Sequence, residues 1–215
     1  MKIQKIIFDF DGVVLNSHNI KTKAFYKIFL QYGKQIALKA KKYHENNTGI
    51  SRYVKFKYIL KKFLKKKITK NELDKLNLKF KKICLDKILK LKVPKLLLNF
   101  IKKRDEKYHL FISTGTPYNE IKKILKIKKI FKYFKGIYGS PDNKIQHIKK
   151  ILKADKNAIF IGDSMEDYKS AKYMNINFIL KMHKENKNIL RGKNIFKIKN
   201  YKNFNKILNN FYNDY

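Results

Sequence analysis

The chain has 215 residues, of which 44% are apolar, so it is long enough to form one compact domain with an inserted subdomain. Its 53 basic and 16 acidic residues give a formal charge of +37, which raises the question of a nucleic-acid partner. Of the basic residues, 50 are lysines and only three are arginines, which nucleic-acid interfaces use for bidentate contacts. A general bias in amino-acid composition therefore explains the positive charge better than nucleic-acid binding does.

The first predicted strand, residues 2–8, ends in an acidic turn. Its β-branched and aromatic residues predict a buried strand, and Asp9 and Asp11 follow it directly. Residues two apart in extended chain point the same way, so the two carboxylates should lie close together, and Gly12 permits a sharp turn after them. Unpaired acids in this position indicate a cation or a reaction that uses them. An acidic turn without a function is the alternative.

A helical region should follow this strand. The spacing of apolar residues predicts four helices, over residues 19–32, 34–46, 51–65 and 69–91. Ser51 is a candidate N-cap, and Thr69 with Glu72 has the sequence of a capping box. Nothing in residues 18–92 resembles a strand, so we expect an all-helical insertion. It carries 23 basic and four acidic residues, which indicates either solvated helix faces or a positive lid over an anionic substrate.

The only cysteine, Cys84, lies in the fourth of these helices. A single cysteine excludes an intramolecular disulfide and fits a reducing compartment, and core packing is its expected role. The sequence contains no recognisable signal peptide and no apolar run of membrane-spanning length. We therefore expect a cytoplasmic protein that does not bind membranes.

From residue 94 onward, strands and helices alternate. The predicted strands cover residues 108–112, 137–138, 158–161, 177–180 and 194–198. The predicted helices cover residues 94–103, 117–126, 143–153 and 165–174, with a C-terminal helix ending near 211. This alternation predicts a parallel sheet that is covered by helices on both faces.

A second acidic motif follows the strand at 158–161. Asp163 comes after Gly162 at the strand end, and Asp167 lies one helical turn further on, on the same face. Five of the 16 acids fall within the two short acidic motifs, namely Asp9, Asp11, Asp163, Glu166 and Asp167. Such clustering in an acid-poor chain indicates a cation site, and oxygen ligands suit Mg²⁺. Glu166 is expected to point elsewhere.

Four segments of the chain, in order, resemble the motifs of the haloacid dehalogenase-like hydrolase superfamily, in particular its phosphatases and phosphomutases. They are Asp9-Phe10-Asp11-Gly12-Val13, Ser113, Lys144 and Gly162-Asp163-Ser164-Met165-Glu166-Asp167. The resemblance covers the chain nearly end to end. It implies a doubly wound, parallel-sheet (Rossmann-like) α/β core made of residues 1–17 and 93–215. An all-helical cap subdomain, residues 18–92, would be inserted after the first strand.

The resemblance also implies roles for the motif residues. Asp9 would be the nucleophile that forms an aspartyl-phosphate, and Asp11 would act as general acid and base. The two acids would need different pKa values, set by a metal ion beside one and a drier, cap-facing pocket beside the other. The presence of Asp11 argues against a dehalogenase. Ser113, with the backbone amide of Thr114, would bind phosphoryl oxygens, and Lys144 would neutralise the phosphate and the nucleophile.

The same resemblance assigns the magnesium ligands. Asp9, the Asp11 carbonyl and Asp163 would ligate Mg²⁺ directly, and Asp167 would act through water or orient Lys144.

Within the insertion, Thr48-Gly49-Ile50-Ser51-Arg52 resembles the substrate-specificity segment of β-phosphoglucomutase-like caps. This implies that Arg52 binds an anionic group remote from the reacting phosphate, whereas a solvent-facing arginine at a helix start is the alternative. The mutases carry a histidine at the position of Lys21, and His18 is out of register with it. This departure favours hydrolysis over phosphate transfer within a sugar.

The sequence therefore predicts a Mg²⁺-dependent phosphatase of a small phosphorylated metabolite. One alternative is a β-phosphoglucomutase-like sugar phosphomutase. The other is a nucleic-acid-binding protein on a scaffold that has lost its activity. The physiological substrate and the oligomeric state do not follow from the sequence.

Overall fold

The structure, a computed structural model, describes residues 4–103, 108–153 and 155–213. Its centre is a six-stranded parallel sheet with the order β3-β2-β1-β4-β5-β6. The strands are β1 (Lys5–Phe8), β2 (His109–Pro117), β3 (Gly136–Ser140), β4 (Ala158–Gly162), β5 (Asn177–Lys181) and β6 (Phe196–Ile198). The doubly wound α/β fold predicted from the sequence is confirmed.

Four helices lie between β1 and the rest of the sheet and form the predicted insertion. They are α1 (His18–Phe29), α2 (Lys34–Asn46), α3 (Arg52–Lys62) and α4 (Lys70–Lys90). The sheet is flanked by α5 (Lys95–Lys103), α6 (Tyr118–Ile127), α7 (Lys144–Leu152), α8 (Met165–Tyr173) and α9 (Phe204–Asn213). Short 3₁₀ helices cover Leu30–Tyr32, Phe131–Tyr133 and Lys184–Asn186. In the part of the chain described, no helix has the length and apolar content needed to cross a bilayer.

The alternation of side chains along β1 explains why helices cover both faces of the sheet. Ile6 and Phe8 belong to a large apolar cluster that extends into the helical insertion. Ile7 points the other way, into a second cluster that contains Ile148 of α7 and Phe160 of β4. Because successive residues of a strand face opposite sides, an unbroken apolar strand requires a helical layer on each side.

Most predicted boundaries agree with the structure within a few residues. The prediction for the first strand began at residue 2, which lies outside the described residues. Pro117 is the last residue of β2 and caps α6, whereas the sequence placed it inside the first helical turn. Thr69 caps α4 by accepting from the Glu72 amide at 3.2 Å. The Glu72 carboxylate accepts instead from the hydroxyl of Tyr32, at 3.1 Å.

Candidate active site

The candidate active site lies at the carboxyl edge of the sheet, where ligands of open α/β sheets bind. Since β1 lies between β2 and β4, Asp9 after β1 and Asp163 after β4 lie in neighbouring loops. Gly12 has a φ of 85°, which L side chains rarely adopt, and an added Cβ would overlap both His18 and Asp163. Only glycine allows these two loops to approach each other this closely.

Three buried carboxylates and one lysine form the centre of the site. Asp9, Asp163 and Asp167 each bring an oxygen into a group whose atoms lie within 4.8 Å of one another. Lys144 Nζ lies 3.1 Å from Asp9 Oδ2 and also contacts the Asp167 carboxylate. Burial by itself lowers the pKa of Lys144, but Asp167 and Asp9 raise it above its ordinary value. Lys144 is therefore charged.

The carboxylate of Asp9 is crowded by negative charge. Burial raises its pKa well above the ordinary value, Lys144 acts against this rise, and Asp167, Asp163 and Asp11 add to it. One lysine therefore does not compensate the three acids. A cation beside them would relieve the remaining repulsion.

The two oxygens of Asp163 have different surroundings. Oδ2 lies 2.5 Å from His18 Nε2 and 2.8 Å from His183 Nε2. Burial alone would raise the pKa of Asp163, but these two histidine contacts hold it below its ordinary value. Oδ1 is buried and has no hydrogen-bond partner among the described residues. A charged carboxylate oxygen that is buried without a hydrogen-bond partner is suited to bind a metal ion. The residues present therefore suit a divalent cation.

Asp167 is held by its own loop. Its Oδ2 accepts from the Ser164 amide at 3.0 Å and the Asp163 amide at 3.2 Å, while Ser164 caps α8. An added Cβ at Gly162 would overlap the Asp167 side chain, so glycine makes room for it. Oδ2 is hydrogen-bonded to amides of the loop, and Oδ1 contacts Lys144. Asp167 is therefore placed to orient that lysine.

The Asp11 carboxylate belongs to a separate set of contacts. Lys21 Nζ lies 2.5 Å from Oδ2, which also accepts from the Thr116 hydroxyl at 2.9 Å, and Ser17 donates to Oδ1 at 2.5 Å. Burial alone would raise the pKa of Asp11, but Lys21 and these hydrogen bonds lower it. The pKa values of the two acids are thus shifted in opposite directions. It is the Asp9 carboxyl whose pKa is raised.

Ser113 and Thr114 at the end of β2 face different surroundings. Ser113 is fully buried, and its Oγ lies 3.0 Å from Nδ1 of His147, whose Nε2 lies 3.2 Å from the Gly139 carbonyl. Burial lowers the pKa of His147 to about 4, so the ring is neutral, and the Ser113 hydroxyl donates to it. Ser113 is not among the residues that line the pocket beside Asp9, whereas Thr114 is.

The helical insertion forms the other wall of this pocket. The pocket is partly open to solvent, and it is lined by residues of the insertion, such as Arg52, and of the core, such as Asp9. The loop before α3 lies directly on the core. An added Cβ at Gly115 would meet the Gly49 carbonyl at 2.8 Å, and one at Gly49 would meet Ser164 Oγ at 2.5 Å.

Arg52, the first residue of α3, connects the insertion to the core. Its guanidinium forms a two-pronged ion pair with Glu120 of α6, at 2.5 and 3.2 Å, and Nε donates to Asn77 at 2.8 Å. Only 6% of Arg52 is exposed. The arginine lines the pocket, but its charge is already paired with Glu120.

Lys55, one turn further along α3, lines the same pocket and has no carboxylate partner among the described residues. It is 3% exposed, and its Nζ lies 3.1 Å from His44 Nδ1. Burial lowers the pKa of His44 well below its ordinary value, so that ring is neutral and accepts from Lys55. Burial also lowers the pKa of Lys55, to about 7, and the nearby charge of Lys21 adds to this.

The fold and the site together define an α/β enzyme whose carboxylates and lysine converge at one edge of a parallel sheet. The model of the haloacid dehalogenase-like hydrolase family matches residues 6–181, so the chain belongs to that family. The family predicted from the four motifs is confirmed. A comparison with curated proteins found no match.

Solved structures share the fold at low sequence identity. A predicted phosphoglycolate phosphatase from Haemophilus somnus superposes with a TM-score of 0.74 at 17% identity, covering 96% of this chain and 98% of the other. A predicted phosphatase from Clostridium acetobutylicum gives 0.73 at 18% identity, covering 99% of each chain. The HAD-hydrolase YfnB from Bacillus subtilis, bound to magnesium, gives 0.65 at 15% identity, covering 97% and 100%. These likenesses show the fold.

Several residues of the site were not predicted from the sequence, among them His18, His183, Glu120 and Lys55. His18 was noted only as out of register with a family histidine, and Lys55 is one of 50 lysines. One signal was available for His183, because histidine is rare in this chain, with five in total, and this one follows a predicted strand. Glu120 offered no signal beyond its place in the first turn of a helix.

Proposed function

We propose that the protein is a Mg²⁺-dependent phosphatase that hydrolyses a small phosphorylated metabolite through an aspartyl-phosphate on Asp9. The observation that carries this proposal is the buried cluster in which Lys144 contacts both Asp9 and Asp167 while Asp163 Oδ1 has no partner. Such a site combines a nucleophile with a cation for the phosphoryl oxygens and an unused metal ligand. Two of the solved structures that share the fold are named as phosphatases.

We further propose two structural units. Residues 1–17 and 93–215 form the catalytic core, and residues 18–92 form a cap that closes over it. The support is that helices α1 to α4 follow β1 in the chain, and that Arg52 of the insertion pairs with Glu120 of the core.

Magnesium would be held by Asp9, Asp163 and the backbone carbonyl of Asp11, with Asp167 in the outer sphere. Asp163 Oδ1 is the oxygen available for it. When bound, the ion would neutralise charge on the carboxylates and on the phosphoryl group.

In the first chemical step, a carboxylate oxygen of Asp9 attacks phosphorus as the ester P–O bond breaks. The leaving oxygen takes a proton from Asp11. Lys144 stabilises the charge on the phosphoryl oxygens. Thr114 is placed to bind one of them, because its oxygen accepts from the Thr116 amide at 3.2 Å and its own hydroxyl proton is left to donate. Ser113, which the sequence favoured for this contact, would support the loop through His147.

In the second step, water attacks phosphorus, Asp11 takes its proton, and the Asp9 carboxylate is released. Lys21, Ser17 and Thr116 stabilise the charged form of Asp11, which is the form needed here. Donation in the first step requires Asp11 to be protonated, so the contact with Lys21 must loosen when substrate binds.

The test is phosphate release from a panel of phosphorylated metabolites, with and without Mg²⁺. We expect release that depends on Mg²⁺. Folded protein that releases no phosphate from any compound would overturn the proposal. Transfer of phosphate between positions of a sugar, with little net release, would identify the phosphomutase instead.

Replacing Asp163 should chiefly weaken the dependence on Mg²⁺. Since Asp163 is the proposed direct ligand, we expect Asp163→Ala to raise the Mg²⁺ concentration for half-maximal activity by about 100-fold or more, beyond the 10- to 100-fold typical of outer-sphere partners. Glu166→Gln, in the first turn of α8, is the matched control and should leave the titration unchanged. A Mg²⁺ titration of Asp163→Ala that matched the parent protein would refute the ligand assignment.

We also propose that the substrate carries a second anionic group and that Lys55 binds it. The sequence suggested Arg52 for this contact. In the structure the guanidinium of Arg52 is already ion-paired with Glu120. Lys55, in contrast, is a buried lysine without an acidic partner among the described residues. A buried charge of this kind is costly unless an anion accompanies it. A small phosphorylated acid would supply one.

Lys55→Ala should therefore reduce kcat/KM for 2-phosphoglycolate far more than for p-nitrophenyl phosphate. Loss of one charge-assisted contact costs about 1.5–3 kcal/mol, or roughly 10- to 150-fold. Arg52→Ala and Glu120→Gln should reduce activity on both substrates alike, because their ion pair positions the cap. Lys57→Ala, exposed on the same helix, is the control. Equal losses on both substrates for Lys55→Ala would contradict the assignment.

The pH dependence gives a second readout of Lys55. With a pKa of about 7, Lys55 is charged below that pH and loses its charge above it. KM for 2-phosphoglycolate should therefore rise above about pH 7, while KM for p-nitrophenyl phosphate should not share this rise. Lys55→Arg should remove the rise, because arginine stays charged.

A further inference from the structure

Two histidines approach the same oxygen of Asp163 from different parts of the chain. His18 begins α1, and His183 follows β5. Their Nε2 atoms lie 2.5 and 2.8 Å from Asp163 Oδ2, and the ring centres are 4.3 Å apart. These three ligand atoms lie within 4.8 Å of one another. His18 and Asp163 are buried and His183 is nearly so, and the phosphatase mechanism uses neither histidine.

The other nitrogen of His183 shows how the ring is oriented. Its Nδ1 lies 2.9 Å from the carboxylate of Glu185, which can only accept, so Nδ1 carries a proton. Its Nε2 is then the nitrogen that faces Asp163 Oδ2, at 2.8 Å. A histidine that donates to a carboxylate through its far nitrogen is the usual arrangement of a metal-ligating histidine.

The surrounding backbone holds these groups in place. Gly12 has no side chain, and a Cβ there would overlap both His18 Nε2 and Asp163 Oδ2. Asn186 donates to the carbonyls of Asp163 and Lys181, at 2.8 and 3.0 Å, and accepts from the His183 amide at 2.8 Å. The turn that carries His183 is thereby fixed to the Asp163 loop before any ligand binds.

We propose that His18, His183 and Asp163 form a second metal site, which takes a divalent transition-metal ion. Two imidazoles and one carboxylate suit ions such as Zn²⁺ or Co²⁺, whereas Mg²⁺ takes oxygen ligands. Asp163 would bridge the two sites, with Oδ2 toward the histidines and Oδ1 toward the magnesium position. This site does not rest on the phosphatase assignment.

The test is titration of the chelator-treated full chain with Co²⁺, followed by visible absorption, in excess Mg²⁺ to occupy the oxygen-only site. We expect one Co²⁺ per chain with an absorption spectrum that indicates nitrogen ligands. His18→Ala and His183→Ala should each weaken binding more than about 10-fold, and Glu185→Gln by roughly 10-fold through the outer sphere. His109→Ala, an exposed histidine at the start of β2, is the matched control.

Circular dichroism of each variant separates loss of the site from loss of the fold, and His183→Asn provides a second variant that keeps a polar side chain in the loop. The absence of Co²⁺ binding in the presence of Mg²⁺ would overturn the proposal. Binding that is the same in the parent protein and in folded His18 and His183 variants would overturn it as well. In either case the three side chains would be an ion-paired network only.

Discussion

Asp9→Asn is expected to abolish phosphate release, with a loss of at least about a thousand-fold, while the protein stays folded. The change removes the nucleophile, and losses of a nucleophile are of this order or larger. The amide oxygen can keep the contact with Lys144. Because burial and neighbouring acids raise the pKa of Asp9, its charge opposes folding, and a neutral side chain should leave the melting temperature without Mg²⁺ equal or higher.

Steady-state phosphate release and thermal melting of purified protein check this result. Asp86→Asn, on the exposed face of α4, is the control for the same chemical change. Substantial turnover by Asp9→Asn would remove the aspartyl-phosphate from the mechanism. A large drop in melting temperature would show that the Asp9 charge supports the fold instead of straining it.

Lys144→Met should cost both activity and stability. Lys144 is the cation between Asp9 and Asp167, and removing it leaves two buried carboxylates uncompensated, which costs about 3–5 kcal/mol. Two conditions should reduce this loss. Mg²⁺ can replace part of the missing charge, and lower pH lets the acids bind protons, so the variant should lose less stability at pH 5 than at pH 8.

Denaturant unfolding with and without Mg²⁺ measures both effects. Lys149→Met, an exposed lysine of the same helix, should unfold like the parent protein under every condition. If Lys144→Met lost the same free energy of unfolding at both pH values and with Mg²⁺, the destabilisation would come from packing, and the electrostatic account of the cluster would be wrong.

The fold was largely predictable because its signals are local. The alternation of apolar strands with amphipathic helices after residue 94 predicts a parallel sheet, and the absence of strand patterns in residues 18–92 predicts the helical insertion. Strand order was less accessible, since β1 pairs with β2 and β4, which joins Lys5 to His109 and to Ala158, 104 and 153 residues further along the chain.

The site was predictable to the extent that its residues occur in short motifs. Asp9, Asp163, Asp167 and Lys144 are brought together by the structure. The partner of Arg52 was not predictable, because Glu120 lies 68 residues away and its identity as an acid says nothing about pairing. Spacing also cannot decide which of two adjacent residues faces a pocket at an irregular strand end. The β2–β3 register shifts between Ser113 and Pro117, so strict alternation no longer applies there.

The burial of the nucleophile has a consequence for how the protein cycles. Asp9 is 2% exposed, and the loop at Gly49 rests on Gly115, near the end of β2. The insertion covers part of the approach to Asp9, so we expect substrate entry to involve a motion that parts Gly49 from Gly115 and loosens the ion pair of Arg52 and Glu120. The frequency of that motion sets an upper limit on kcat, however fast the chemistry is. Weakening the contact between Gly49 and Gly115 is therefore expected to raise kcat. The same change should also let water and bulky esters enter the site.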